Sequence, residues 1–515
     1  MTAEKEQPVP PRSYLLLILL FSGLKLLLHF LANSNYGLHS DELYYISLGK
    51  HLQWGYLDNG PFTPAVAAFI AQINESSTFL YRLLPTIFSA ATVCLAGLAS
   101  WYLGGGRLAI AISCTAMLCS PAYLATGYFL QPVAFEQFFW TAGAFFLLRF
   151  FQTQRLFLLL IASASFACGT LNKYSVIVYF VALVAGLLIY NRKDFKPAAI
   201  WAVIAAGLLI IPNLMWQINN DLPFLRYLTV LKEKTVEPNA GEFLLQQLLA
   251  HGSGLAVWSA GLISLLFWPA LRRYRFLAFA TLLIIAFFTI SGGKIYYTLG
   301  AFPLLFAAGS VCWEKLLCKA PRFWTYNLFC LHLLPVLVAL PAIIPVLPLH
   351  HMFGYFKAVA PYTAHTALLE WPDGNKHDLP AFYADMLGWP ELSAQVDSAY
   401  KTLNQTQKND MMIVTDGYAV TAALSHFKKP DLPAVHTCDN SITQWSAADP
   451  ESGNVLLITC KSQADVSRLA RKTLLLNTFT QPHAIGHGTK TYLLIRPLPA
   501  FSDWYKSERK KFVGR

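Results

Sequence analysis

The sequence predicts a polytopic α-helical membrane protein, with about eleven transmembrane helices and a C-terminal extracytoplasmic α/β domain. Three observations predict it. Of 515 residues, 55% are hydrophobic and only 13% charged, with a mean hydropathy of +0.43, which excludes a single soluble globule of ordinary composition. Apolar stretches long enough to span hydrocarbon recur as far as residue 347. Beyond it the chain turns polar and begins to alternate.

A helix needs about 20 apolar residues to cross the hydrocarbon layer. Eleven stretches answer, near 14–32, 83–103, 108–128, 137–152, 156–171, 174–190, 197–215, 247–268, 276–291, 295–313 and 323–347. The first holds Lys25 and His29 and has no small-residue cleavage site, so it reads as a retained helix rather than a signal peptide. The 13 Trp and 24 Tyr suit repeated passage through the headgroup region. The formal net charge of +11 is dispersed in short loops rather than massed on one domain, which argues against nucleic acid.

Lys5, Arg12, Arg107, Arg155, Arg192, Lys193, Lys196, Arg272, Arg273, Arg275, Lys315, Lys319 and Arg322 share one side if the spans alternate. By the positive-inside rule that side is the cytoplasm, together with the N-terminus. The outer side then receives the first loop, 33–82, the turns near Gln131, Lys173 and Lys294, the loop 216–246, and everything after 348. The expected domains are therefore 1–347 in the membrane and 348–515 outside it.

In that outer part Met411–Thr415, Val455–Thr459 and Thr491–Ile495 read as buried strands, and Ala381–Leu387, Glu391–Leu403 and Ala419–Phe427 as helices. Seven of the nine cysteines lie in or beside apolar spans; Cys438 and Cys460 lie in the outer part, where export would permit them to pair.

The polar residues that carry chemistry gather on the outer side. His39-Ser40-Asp41-Glu42 opens a helix expected to run to about Gln53, with Ser40 as its cap and Leu43, Tyr44, Tyr45, Leu48 and Leu52 lying on the membrane surface. Neighbours on a helix point about 100 degrees apart, so one acid of the pair faces a substrate atom. Asp41 is the choice for the reacting group, with Glu42 orienting the substrate or bonding nearby backbone. Asp58 adds a third acid. Pro132 frees backbone groups beside Gln131 and Glu136, and Glu136 either lines a cavity or sits in water as a loop carboxylate. Arg82, Lys173 and Lys294 are cations at outer span ends, suited either to a phosphate at headgroup depth or to anchoring at the interface. Gly104-Gly105-Gly106 lacks the ending of a phosphate loop and reads as a connector. The histidines show no helical metal-ligand pattern.

These motifs together resemble the GT-C class of membrane glycosyltransferases, in the protein mannosyltransferase and aminoarabinose transferase superfamily. The acid pair of the first outer loop matches Asp41-Glu42, and an aromatic, acid and proline segment matches Tyr56 to Pro61 around Asp58. Arg82-Leu83-Leu84-Pro85, Leu171-Asn172-Lys173, and Gly293-Lys294 through Tyr297 and Pro303 follow the family order. Two positions depart from it: Gln131 stands where many relatives carry an acid before proline, and Asn59-Gly60 replaces a basic residue or His followed by Pro.

The resemblance implies a GT-C-like fold and an inverting transfer of sugar from a polyprenyl-phosphate donor, with Asp41 and Glu42 catalytic. Asp58, Arg82, Gln131, Glu136, Lys173, Lys294 and Tyr297 would bind substrate. The acceptor is a hydroxyl or phosphate on lipid A, another glycolipid, a glycan or a protein, at the outer face of a bacterial inner membrane. A divalent metal ion is an open cofactor question, with His39 and Asp58 the weak candidates. Two other classes compete: a polyprenyl-lipid or sugar transporter, which should show internal repeats and charges near mid-bilayer, and a scaffold that senses a lipid-linked sugar without turning it over.

Overall fold

A computed structural model describes residues 9–191, 198–234, 239–363, 366–450 and 453–513. Lys5, Arg192, Lys193 and Lys196 of the expected cytoplasmic set lie outside the described residues. The chain divides into two compact units: Met1–Asn33, Phe79–Trp216 and Thr235–Val346 form the first, and Ser34–Thr78, Gln217–Lys234 and Leu347–Arg515 the second. The first outer loop is thus built into the same unit as the C-terminal segment.

The first unit is helical. Helices fall on every expected span, yet among the described residues only six are long and apolar enough to cross a membrane: Arg12–Ala32, Thr78–Tyr102, Ile200–Asn219, Pro269–Ser291, Ile295–Leu317 and Arg322–Ile343. Ala240–Leu249 and Gly252–Phe267, bent by 95°, make a seventh if counted as one span. Six or seven of the eleven expected spans thus meet both length and composition among the described residues. The span expected near 108–128 is cut at Ser120-Pro121 into the helices Arg107–Leu118 and Pro121–Thr126, because a proline cannot donate to the preceding turn. Leu156–Asn172 and Ser175–Tyr190 are short, at 17 and 16 residues.

Close packing of backbones holds this unit together. Gly261 and Gly309 sit where the helices Leu255–Phe267 and Phe302–Leu317 meet, and a β-carbon at either would collide with the carbonyl of Leu305 or Val257. Small residues permit such approach where lipid supplies no hydrophobic drive. At the far end of Phe302–Leu317, the Glu314 carboxylate accepts the backbone N–H groups of Gly106, Leu108 and Ala109 at 2.6, 3.1 and 3.1 Å. The glycine run is indeed a connector, with Gly104 at φ +93°. Its role is to let a carboxylate satisfy donors that a helix start leaves bare.

The second unit carries a five-stranded sheet, β1 (Met411–Thr415), β2 (Val435–Thr437), β3 (Asn454–Thr459), β4 (Ala470–Thr478) and β5 (Lys490–Pro497), in the order β2-β1-β3-β5-β4. The first three pair in parallel, and β5 is antiparallel to both β3 and β4. Strands β1, β3 and β5 match the expected runs. β2 is too short and β4 too polar on one side for alternation to reveal them. The helix Tyr418–Phe427 crosses from β1 to β2 and packs on the helix Ser40–Gly49. Leu57, Val230 and Phe512 form a small apolar cluster that ties the first loop, the helix Pro223–Lys234 and the last helix, Pro499–Val513, to one another.

One expectation is corrected here and one open question is answered. The helix Ser40–Gly49 ends four residues early, and Leu43, Tyr44, Tyr45 and Leu48 are buried in protein rather than laid on a membrane surface; only Leu52 is exposed. Cys438 and Cys460 are both free thiols: Cys438 donates to the Tyr505 carbonyl, and Cys460 lies exposed beside Thr489.

Glu314→Ala should cost about 2 kcal/mol of stability by baring three backbone donors, with Glu314→Gln intermediate. Thermal unfolding of the detergent-solubilised protein reads this, and equal melting of Glu314→Ala and wild type would remove the clamp.

Candidate active site

Two acids of the first outer loop, Asp41 and Asp58, take donors from the C-terminal segment. His39, not Ser40, caps the helix Ser40–Gly49: its Nδ1 accepts the Asp41 N–H at 3.1 Å, while Glu42 Oε2 accepts the His39 N–H at 2.9 Å. Glu42 is fully buried in this capping box. Because Nδ1 accepts, the neutral imidazole carries its proton on Nε2, which lies 3.3 Å from Asp385 Oδ2. Asp385 also accepts the Ser40 N–H at 3.2 Å and the Ser40 hydroxyl at 2.7 Å. Ser40 therefore anchors the helix start through Asp385 instead of capping it.

Asp41 and Asp58 each take a phenol. Tyr418 donates to Asp41 Oδ1 at 2.7 Å, and its own N–H donates to Asp439 Oδ2 at 3.1 Å. The Tyr44 hydroxyl lies 2.8 and 2.9 Å from the two Asp58 oxygens, and Ser441 Oγ donates to Asp58 Oδ1 at 2.5 Å. The two phenol rings meet edge to face with centroids 5.1 Å apart. Burial, only partly offset by the Ser441 and Tyr44 hydroxyls, pushes the Asp58 carboxyl up to about 6. Burial also raises the Asp385 carboxyl and, with the Asp41 charge beside it, the Tyr418 phenol. A raised phenol stays a donor throughout the working pH range.

In the first unit Glu136 is not a loop carboxylate in water. Pro132 starts the helix Pro132–Thr153 with Gln131 as its cap, so Glu136 falls inside the helix and is buried. Its oxygens meet the Lys173 ammonium at 3.3 Å and the Ser175 hydroxyl. Lys173 lies 4.6 and 4.4 Å from the ring centroids of Tyr296 and Tyr297. Lys294, half-buried, makes no ion pair among the described residues. Arg82 is fully buried; its guanidinium donates to the Asn33 carbonyl at 3.1 Å and stands 5.6 and 5.5 Å from the rings of Tyr128 and Phe129.

The structure brings Asp41, Glu42 and Asp58 together in one unit, and Glu136, Lys173 and Tyr297 together in the other. Among the described residues no group of three or more His, Cys, Asp or Glu is placed to hold a metal ion. His39 and Asp58, the sequence candidates, each turn to separate partners, Asp385 and Tyr44.

The profile of the family described as dolichyl-phosphate-mannose-protein mannosyltransferase matches residues 58–216. No curated protein matches the sequence. Among solved structures, ArnT from Cupriavidus metallidurans bound to undecaprenyl phosphate superposes with a TM-score of 0.62 at 13% identity, covering 92% of this chain and 97% of that one. The archaeal oligosaccharyltransferase AglB from Archaeoglobus fulgidus, in complex with an inhibitory peptide and a dolichol-phosphate, gives 0.51 at 12% identity, covering 97% and 77%. The chain has the GT-C fold. At these identities the likeness establishes architecture, and it agrees with the superfamily resemblance carried by the motifs.

Within this GT-C fold the partners that sequence reasoning missed are Tyr418, Asp385, Asp439 and Ser441. Tyr418, Asp385 and Ser441 contact the first loop across more than 300 residues of chain, with Asp439 accepting from Tyr418, and no local pattern encodes such a pairing. One signal was available. Asp416-Gly417-Tyr418 follows β1, and Asp439 and Ser441 follow β2, and the carboxyl ends of parallel strands are where α/β sheets place functional groups.

Because the Asp58 carboxyl is raised, its stabilising contribution is complete below pH 4 and fades as pH rises through about 6. Wild type should therefore gain melting temperature relative to Asp58→Asn as pH is lowered from 7 to 5. A gap that stays constant over that range would show an ordinary carboxylate.

Proposed function

We propose that this chain is an integral-membrane glycosyltransferase that moves a sugar from a polyprenyl-phosphate donor to an acceptor at the outer face of a bacterial inner membrane. The acceptor is a hydroxyl or phosphate on lipid A, another glycolipid, a glycan or a protein. The observation that carries the reading is a GT-C fold whose first-loop acids are gathered and hydrogen-bonded at buried or half-buried positions. The ligands named for the solved relatives, undecaprenyl phosphate and dolichol-phosphate, support a polyprenyl-phosphate donor.

Asp41 acts as general base: as an acceptor oxygen bonds to the anomeric carbon, its proton passes to the carboxylate and the bond to the donor phosphate breaks on the opposite face. That single displacement inverts the anomeric configuration. Glu42 fixes the helix start that carries Asp41, and Asp58 orients the acceptor. Lys173, Lys294, Arg82 and Tyr297 serve the departing phosphate, with Gln131 and Glu136 shaping the approach; cations fixed in advance need no reorganisation as charge develops. Lys173 sits against one carboxylate and two aromatic faces, so its ammonium is oriented before any donor arrives.

Asp41→Asn should lower transfer by a factor on the order of 100 or more while membrane insertion is kept; full transfer in that variant removes Asp41 from the mechanism. Lys173→Gln should raise the concentration of donor needed by about tenfold, equivalent to 1.4 kcal/mol, and leave acceptor use unchanged. Equal effects on both would count against a phosphate role. Mass spectrometry of envelope lipids and glycans with and without the gene identifies the product. An alkaline phosphatase fused after Arg515 should be active, and its inactivity would reverse the orientation.

A further inference from the structure

We infer that Tyr418 is a positioning residue for Asp41, and that the carboxyl edge of the C-terminal sheet is a working part of the reaction centre rather than an appended domain. The inference rests on the glycosyltransferase reading and assigns a role to a segment that the reading leaves idle.

The sheet order itself makes the case. From β1 the chain crosses to β2 on one side, and β3 then pairs on the other. The carboxyl end of β1 therefore stands where the strand order reverses, which is where α/β sheets place functional groups. Tyr418 comes from the turn after β1, and Asp439 and Ser441 from the turn after its parallel neighbour β2. These residues hold the acids of the first loop, through Tyr418 to Asp41 and Ser441 to Asp58.

Tyr418 is itself fixed from three directions. Its N–H is taken by Asp439, its ring packs edge to face on Tyr44, and it opens a helix packed against the helix that carries Asp41. A phenol so constrained holds Asp41 Oδ1 at 2.7 Å, which defines how the carboxylate plane is turned. A base must lie within hydrogen-bond reach of the proton it takes, and small misplacements are expensive. The charged and titratable groups around this contact are His39 and Glu42 on the Asp41 helix, Asp385 beyond the helix Ala381–Ala384, and Asp439 after β2. Three of these four are acids, so the Tyr418 hydroxyl offsets a locally negative setting by donating to the charged form of Asp41.

The test uses the full chain in membranes of a deletion strain, whose own lipids supply donor and acceptor, and reads the envelope product that the deletion lacks. Tyr418→Phe keeps the ring and removes the hydroxyl. It should slow transfer by between about tenfold and a hundredfold with the half-saturating amount of donor lipid unchanged, and move the acid limb of the pH–rate profile to higher pH. Site-specific 3-fluorotyrosine at 418, a stronger donor of the same shape, should move that limb to lower pH, and it serves where Tyr418→Phe fails to accumulate. A merely structural role would leave the limb in place for both. If both variants keep the wild-type rate and limb while Asp41→Asn is inactive, the positioning role is overturned and the glycosyltransferase reading stands. If Asp41→Asn transfers normally, the reading itself fails.

Discussion

A carboxylate taken out of bulk water must be given donors, and that single requirement organises the second unit. Asp41, Asp58 and Asp385 sit within or beside the Ser40–Gly49 helix, and each would be costly to bury alone. Tyr418, the Tyr44 and Ser441 pair, and Ser40 with His39 supply the missing hydrogen bonds. The sheet, the crossover helix and the turn after β2 are placed so that those donors arrive. Remove the acids, and much of the reason for the first loop and the C-terminal segment to share a unit disappears.

The first unit answers the same requirement with other means. Glu136 is compensated by an ammonium and a hydroxyl, and that ammonium lies against the electron-rich faces of two tyrosines. Glu314 is compensated by three backbone N–H groups of a helix start. The Lys25 ammonium, fully buried, donates to the Tyr123 carbonyl at 2.8 Å. These three charged side chains thus each meet a compensating group, the arrangement expected where an unpaired charge costs several kcal/mol.

Such pairing also bears on chemistry. Groups held by several bonds before substrate arrives do not have to be ordered during the reaction, which is the general advantage of a preorganised site. The donors to Asp41 and Asp58 are phenols and hydroxyls rather than cations. Lys173 is tethered by one carboxylate and two aromatic faces.

The sequence by itself determined the membrane class, the run of helices, three of the five strands and the residue types at the candidate site, because hydropathy, alternation and proline placement are local properties. Glu136 shows the limit of that reading: its neighbours left open a loop or a cavity, and only the observed helix start at Pro132 made it an interior residue. Tyr418 shows the limit more sharply. It stands 377 residues from the acid it holds, and nothing about a tyrosine after a strand announces its partner. The tertiary structure decided that Ser40 turns to Asp385 and leaves the cap of its helix to His39, the free state of both outer cysteines and the donors to each half-buried acid, since these depend on which distant segments meet, and desolvation acts only where they do.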